Sequence, residues 1–226
     1  MSDYYSKYLE MVSTQKKNYS GAGFIFYQTS GYDFDVLVGL DNKPNQKTLS
    51  IFGGGREKKD SSPLYTAVRE VFEELFNVIP NGLDIFVSQL QKKVDDRTIV
   101  EKIFLKKNNE ICFFTNINIL HLFIDHLIYH ECPWSFKGKH TWDEYKNNLL
   151  IFINDRVLKN NQKVKNGLNE IQRIFLINIK DINQVIDNFE TTKKGIIINK
   201  KEYFFRDNLN RYLQEKIITD IINKII

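Results

Sequence analysis

The chain has 226 residues, 42% of them hydrophobic and 27% charged, with a formal net charge of +4. That is ordinary for a soluble globular protein with one good core, and the mild positive balance is far from what would by itself argue for nucleic acid as a partner. Only Cys112 and Cys132 are present, too few for a disulfide framework, so a reducing, cytoplasmic setting is expected.

No stretch approaches the roughly 20 apolar residues that span a bilayer, so no membrane partner is expected. The opening "MSDYYSKYLEMVSTQKK" is acidic and polar where a secretory signal is apolar. The abundance of Lys, Asn and Ile points to an AT-rich coding genome, such as that of a parasite, a low-GC bacterium or a large DNA virus. For a virus the setting becomes the host cytoplasm.

In chain order, a short helix is expected within 1–19, followed by strands over "GAGFIFYQTS" and "DFDVLVGLD", both rich in β-branched and aromatic residues. "KTLSIF" reads as a third strand running into a glycine turn at Gly53, Gly54 and Gly55. A helix is expected over 62–76, capped by Ser61 or Ser62, with Pro63 at the first helical position, where its missing N–H costs nothing. "LDIFVSQLQKKV", "TIVEKIFLKK" and "EICFFTNI" read as strands. "LHLFIDHLIYH" and "TWDEYKNNLLIFINDRVLKN" read as helices of an insertion over 119–165. "NEIQRIFLINI" is a late strand and "DINQVIDNF" a short helix. A terminal helix over 203–226 spaces Leu209, Leu213, Ile217, Ile221 and Ile225 at helical intervals. The fold class is α+β.

The chemistry concentrates in "SIFGGGREKKDSSPLYTAVREVFEELFNV". On a helix, Glu70, Glu73 and Glu74 stand at i, i+3 and i+4 and share one face. Arg69 lies four residues before Glu73 and can steady it. Glycines upstream allow backbone groups to approach that face, because no Cβ intervenes. Several carboxylate oxygens with a carbonyl make a hard-oxygen site suited to Mg²⁺ or Mn²⁺, which bind phosphate oxygens. A solvated acidic helix face is the plainer alternative.

Other signals are weaker. The glycines match neither a dinucleotide fingerprint nor a P-loop. His126, His130 and Cys132 have zinc-like spacing but no fourth ligand. Cys112 sits in a strand with no histidine–acid partner. Trp134, Phe136 and Trp142 beside Lys137, Lys139 and His140 could stack a base, or simply pack the insertion. Scattered lysine pairs leave RNA open as a partner.

The stretch resembles the Nudix hydrolase signature, G-x5-E-x7-R-E-U-x-E-E-x-G-U with U aliphatic. Gly55 takes the first glycine, and Arg69, Glu70, Val71, Glu73 and Glu74 match the central block. The first signature glutamate falls on Ser61, where neighbouring Asp60, or Glu57, could substitute. The late glycine falls on Phe76, with Asn77 and Val78 following.

The resemblance implies a single Nudix-like α/β/α sandwich with a mixed sheet, elaborated by the insertion and the terminal helix. It implies hydrolysis of a diphosphate linkage in a nucleotide-type substrate. Glu70, Glu73 and Glu74 would be metal ligands, with Gly54, Gly55 and Asp60 as further candidates. Glu73 is the first choice of base and Glu170 the second, with Arg69 orienting Glu73. Gly53, Arg56, Trp134 and Trp142 are candidate substrate contacts. A small metabolite and capped RNA compete as substrates, as in the decapping enzymes of large DNA viruses, and diphosphoinositol polyphosphates are also candidates. The rival class is a non-catalytic nucleotide-binding module.

Overall fold

The computed structural model describes residues 18–31, 33–41, 47–104, 109–130, 145, 147–158, 170–186 and 195–206. The expected N-terminal helix lies outside these residues up to position 17, and Asn18–Ser20 are not helical. The expected terminal helix lies outside them from position 207.

Long β-branched and aromatic runs form the first two strands, β1 (Gly21–Ser30) and β2 (Asp33–Asp41). They are followed by β3 (Thr48–Ser50) and β4 (Phe52–Gly55). Helices α1 (Pro63–Phe76) and α2 (Leu83–Asp95) come next, then β5 (Val100–Phe104) and β6 (Glu110–Asn116). A 3₁₀ turn at Ile117–Ile119 leads into α3 (Leu120–Tyr129). A short α4 (Leu149–Phe152) passes into a π-helical stretch, Ile153–Leu158. The chain then forms β7 (Ile171–Asn178), α5 (Ile179–Ile186), β8 (Ile196–Ile198) and β9 (Lys201–Phe205).

The nine strands make one mixed sheet in the order β5-β6-β1-β2-β3-β9-β8, with β4 also on β1 and β7 also on β2. β1–β6 and β3–β9 are parallel, and the other pairs are antiparallel. β6 lies along one edge of β1 from Gly21 to Tyr27. The other edge is shared: Gly21–Phe24 pair with β4 and Tyr27–Ser30 with β2. The sheet therefore forks beside β4.

The period-two alternation of the strands supplies two cores. On one face Phe24, Phe26, Phe52 and Phe113 pack against Val68, Val71 and Phe72 of α1, Phe86 of α2, Phe123 of α3 and Phe152 of α4. On the other, Ile25, Val36, Val38, Cys112, Phe114 and Ile177 pack with Ile182 of α5 and with Tyr203 and Phe205 of β9. A mixed sheet with helices on both faces is the architecture the sequence led us to expect.

Several expectations change. Residues 83–94 are helical, not a strand. Leu83, Phe86, Val87 and Leu90 are the buried residues, at i, i+3, i+4 and i+7, which is one helix face. Gly53–Gly55 lie within a strand rather than a turn. Tyr203–Phe205, assigned to the terminal helix, belong to β9, which pairs antiparallel with β8. In the described parts of the segment read as an insertion, Phe123 and Phe152 sit in the α1-side core. Among the described residues no helix is long and apolar enough to cross a membrane.

Candidate active site

The site is built on α1, and the sequence fixes both ends of that helix. Ser62 Oγ accepts the N–H of Tyr65 at 3.1 Å, and Pro63 opens the first turn. At the other end Phe76 stays buried, and Asn77 takes the left-handed conformation (φ 56°) that a signature glycine would supply. Its N–H donates to Glu73 O at 3.0 Å, and Val78 N–H donates to Phe72 O at 3.2 Å.

Arg69 is only 1% exposed and is the hub. Its Nε and Nη2 donate to Asp60 Oδ1 and Oδ2 at 3.1 and 3.0 Å. Nη2 also donates to Gly55 O at 2.9 Å. Nη1 meets Glu73 Oε2 at 2.7 Å and Glu70 Oε1 at 2.9 Å, with Glu57 Oε1 at 3.5 Å. Burial works against the guanidinium charge, but Asp60, Glu70 and Glu73 hold it protonated above its ordinary range.

Asp60 is buried and accepts two further hydrogen bonds on Oδ2, from Glu57 N–H at 2.9 Å and Thr66 Oγ1 at 2.8 Å. Burial alone would raise its carboxyl pKa. Arg69, the Glu57 N–H and Thr66 together bring it below the usual value. Ser61, on the signature position, is beside this brace and not in it.

The three helix glutamates behave differently from Asp60. Burial, with Glu73 and Glu170 nearby, pushes Glu70 up to about 7 despite Arg69. Glu73 is raised by burial, offset in part by Arg69. Glu74 is fully enclosed and raised well above the usual range by burial, then by Glu70 and Glu170. Its Oε2 accepts the N–H of Gly53, in β4, at 2.9 Å. The Glu70 carboxylate lies directly over Gly54, where a Cβ would stand 2.5 Å from Glu70 Cδ and would have to displace it.

Glu170, exposed just before β7, acts electrostatically on both Glu70 and Glu74. The fold thus brings a residue 96 positions beyond Glu74 to the same flank of the sheet. Among the described residues no three acidic, histidine or cysteine side chains already form a ready metal cluster. Arg69 Nη1 stands between Glu70 and Glu73 instead.

Comparison with known proteins adds a fold likeness only. No protein-family model and no curated protein sequence matches the chain. Among solved structures, it aligns with that of a C. elegans Ap4A hydrolase binary complex over 91% of this chain and 98% of that one. The identity is 10% and the TM-score 0.37. At those values the likeness says nothing about this chain's chemistry.

The other candidates are placed as follows. Arg56 follows Gly55 with its guanidinium 4.6 Å above the Tyr19 ring. Gly21, Gly23 and Gly53 line a trough of about 370 Å³ with Glu110, Cys112 and Arg206. Trp134, Phe136, Trp142 and Cys132 lie outside the described residues. The His126 and His130 rings meet at a tilt of 53° with centroids 4.3 Å apart, and His126 Nε2 lies 3.2 Å from Asn81 O.

Sequence reasoning missed Tyr19, Thr66 and Arg206. Arg206 joins Asp41 at 2.8 Å and also acts on Glu74. Only the parallel pairing of β9 with β3 brings it there, and no local pattern announces such a long-range pairing.

Proposed function

We propose that the protein is a Nudix-type, divalent-cation-dependent hydrolase cleaving a diphosphate linkage in a nucleoside-diphosphate-linked substrate. The observation that carries the reading is a charge imbalance. Asp60, Glu70 and Glu73 gather on the single buried guanidinium of Arg69, Glu74 is enclosed beside them, and all three helix glutamates have pKa values lifted by burial. Such a set is unfavourable alone and suits a hard cation.

The donor set fits Mg²⁺ or Mn²⁺ through the glutamate oxygens of Glu70, Glu73 and Glu74, with the carbonyl of Gly54 as a further candidate and that of Gly55 already accepting from Arg69 Nη2. When bound, the cation supplies neutralisation of phosphate oxygens and a water of lowered pKa. Glu73 is assigned to take the proton of the attacking water, with Glu170 as second choice. The water oxygen attacks phosphorus, the P–O–P bond breaks, and the leaving phosphate departs as an anion.

Arg69 holds Glu73 by a charge-assisted bond rather than touching substrate. Asp60 serves as the brace of Arg69, since both its oxygens are already engaged, and it is removed from the ligand set. Arg56 and the glycine trough offer contacts for phosphate and for the rest of the substrate.

The test is turnover on capped RNA, dinucleoside polyphosphates, nucleotide sugars, NAD(H) and inositol pyrophosphates with Mg²⁺ or Mn²⁺. We expect cleavage of at least one substrate, and a loss of about 100-fold or more in kcat for Glu73→Gln. Release of methylated guanosine diphosphate from capped RNA alone would assign decapping. No turnover and no metal binding would favour a binding module, and near wild-type turnover by Glu73→Gln would remove Glu73 as base.

A further inference from the structure

We propose that Tyr19 is a positioning residue of this site, acting on Arg69 through its hydroxyl and on Arg56 through its ring. The proposal rests on the hydrolase reading above and adds to it a residue outside the signature.

Tyr19 is buried just before β1. Its hydroxyl lies 2.8 Å from Thr66 Oγ1, and Thr66 Oγ1 donates to Asp60 Oδ2 at 2.8 Å. Thr66 has one hydroxyl proton, and an ionised carboxylate can only accept. Thr66 therefore accepts from Tyr19, and the chain runs Tyr19 O–H to Thr66 O–H to Asp60, which in turn holds Arg69. Burial keeps the phenol protonated by raising its pKa.

All four residues are shielded from water, where linked hydrogen bonds polarise and orient one another. Asp60 Oδ2 carries three donors, from Glu57, Thr66 and Arg69. Its direction therefore depends on the Thr66 hydroxyl, and that hydroxyl on Tyr19. Arg69 fixes Glu70 and Glu73 in turn. The same tyrosine presents its ring face to the Arg56 guanidinium, limiting the freedom of a long exposed side chain that follows Gly55. One residue thus serves two tasks that substitution can separate.

The experiment measures kcat, KM, affinity for Mn²⁺, affinity for inorganic pyrophosphate at saturating Mn²⁺, and melting temperature for Tyr19→Phe, Tyr19→Leu, Thr66→Val and the Tyr19→Phe/Thr66→Val pair. The substrate is the one cleaved best in the panel above. Tyr19→Phe should lose about tenfold in kcat, with KM and pyrophosphate affinity within about twofold of wild type. Tyr19→Leu should show the same kcat loss and an additional fall of about fivefold in pyrophosphate affinity. The pair should lose no more kcat than Thr66→Val alone, because both changes break one chain. Wild-type kcat in Tyr19→Phe, or losses that multiply in the pair, would overturn the proposal. If wild type cleaves nothing, the hydrolase reading fails by itself. Mn²⁺ affinity then decides the positioning role, supporting it if Tyr19→Phe binds about fivefold more weakly and overturning it if binding is unchanged.

Discussion

At the residue scale, the departure of the sequence from the Nudix pattern has a physical explanation. Ser61 stands where the signature has a glutamate, and the neighbouring Asp60 grips Arg69 with both oxygens. The sequence showed an acid next to the gap. It could not show that Asp60 would be buried with four donors, because those donors come from Glu57, Thr66 and two nitrogens of Arg69 after folding. Removing the carboxylate leaves a buried cation under-compensated. Asp60→Ala should therefore lower stability by about 3 kcal/mol in denaturant unfolding, whereas a loss within about 0.5 kcal/mol would mean that Glu70 and Glu73 suffice to hold Arg69.

At the element scale, what was legible was the helix with its face of glutamates, and what was not was the neighbouring helix. α1 carries its own start and stop signals, Ser62–Pro63 and Asn77. α2 carries neither: its N-cap is Gly82, with no side-chain cap. "LDIFVSQL" reads as a strand because Ile85, Phe86 and Val87 are consecutive β-branched or aromatic residues, and only the spacing of Leu83, Phe86, Val87 and Leu90 reveals the helix. The hairpin of β8 and β9 was missed for a related reason, since three-residue and five-residue strands are too short for a periodicity to register. The end of α1 gives a direct check. Asn77→Gly should keep stability within a few tenths of a kcal/mol or improve it, and Asn77→Ala should lose about 1 kcal/mol, since alanine resists a positive φ. Equal stability of the two variants would show that the left-handed cap is not what ends the helix.

At the scale of the whole molecule, the forked sheet draws distant residues onto one acidic flank. Glu170 arrives by the antiparallel pairing of β7 with β2, and Arg206 by the parallel pairing of β9 with β3. The mixed sheet was legible from the order of strands and helices, but these pairings depend on long-range closure that no local pattern encodes. The central claim is that the glutamate cluster is a strained set built to hold a divalent cation. Glu70 has a folded pKa raised to about 7 from 4.5. Between those values the folded state binds more protons, so stability falls as pH rises, and at pH 8 the full cost is present.

The measurement is the melting temperature at pH 8 of wild type and Glu70→Gln, each in chelator and in Mn²⁺. In chelator Glu70→Gln should melt at or above wild type. Mn²⁺ at about 100 times its dissociation constant should raise wild type by roughly 5–10 °C and leave Glu70→Gln nearly unmoved. Equal shifts in both proteins, or none in wild type, would contradict the claim.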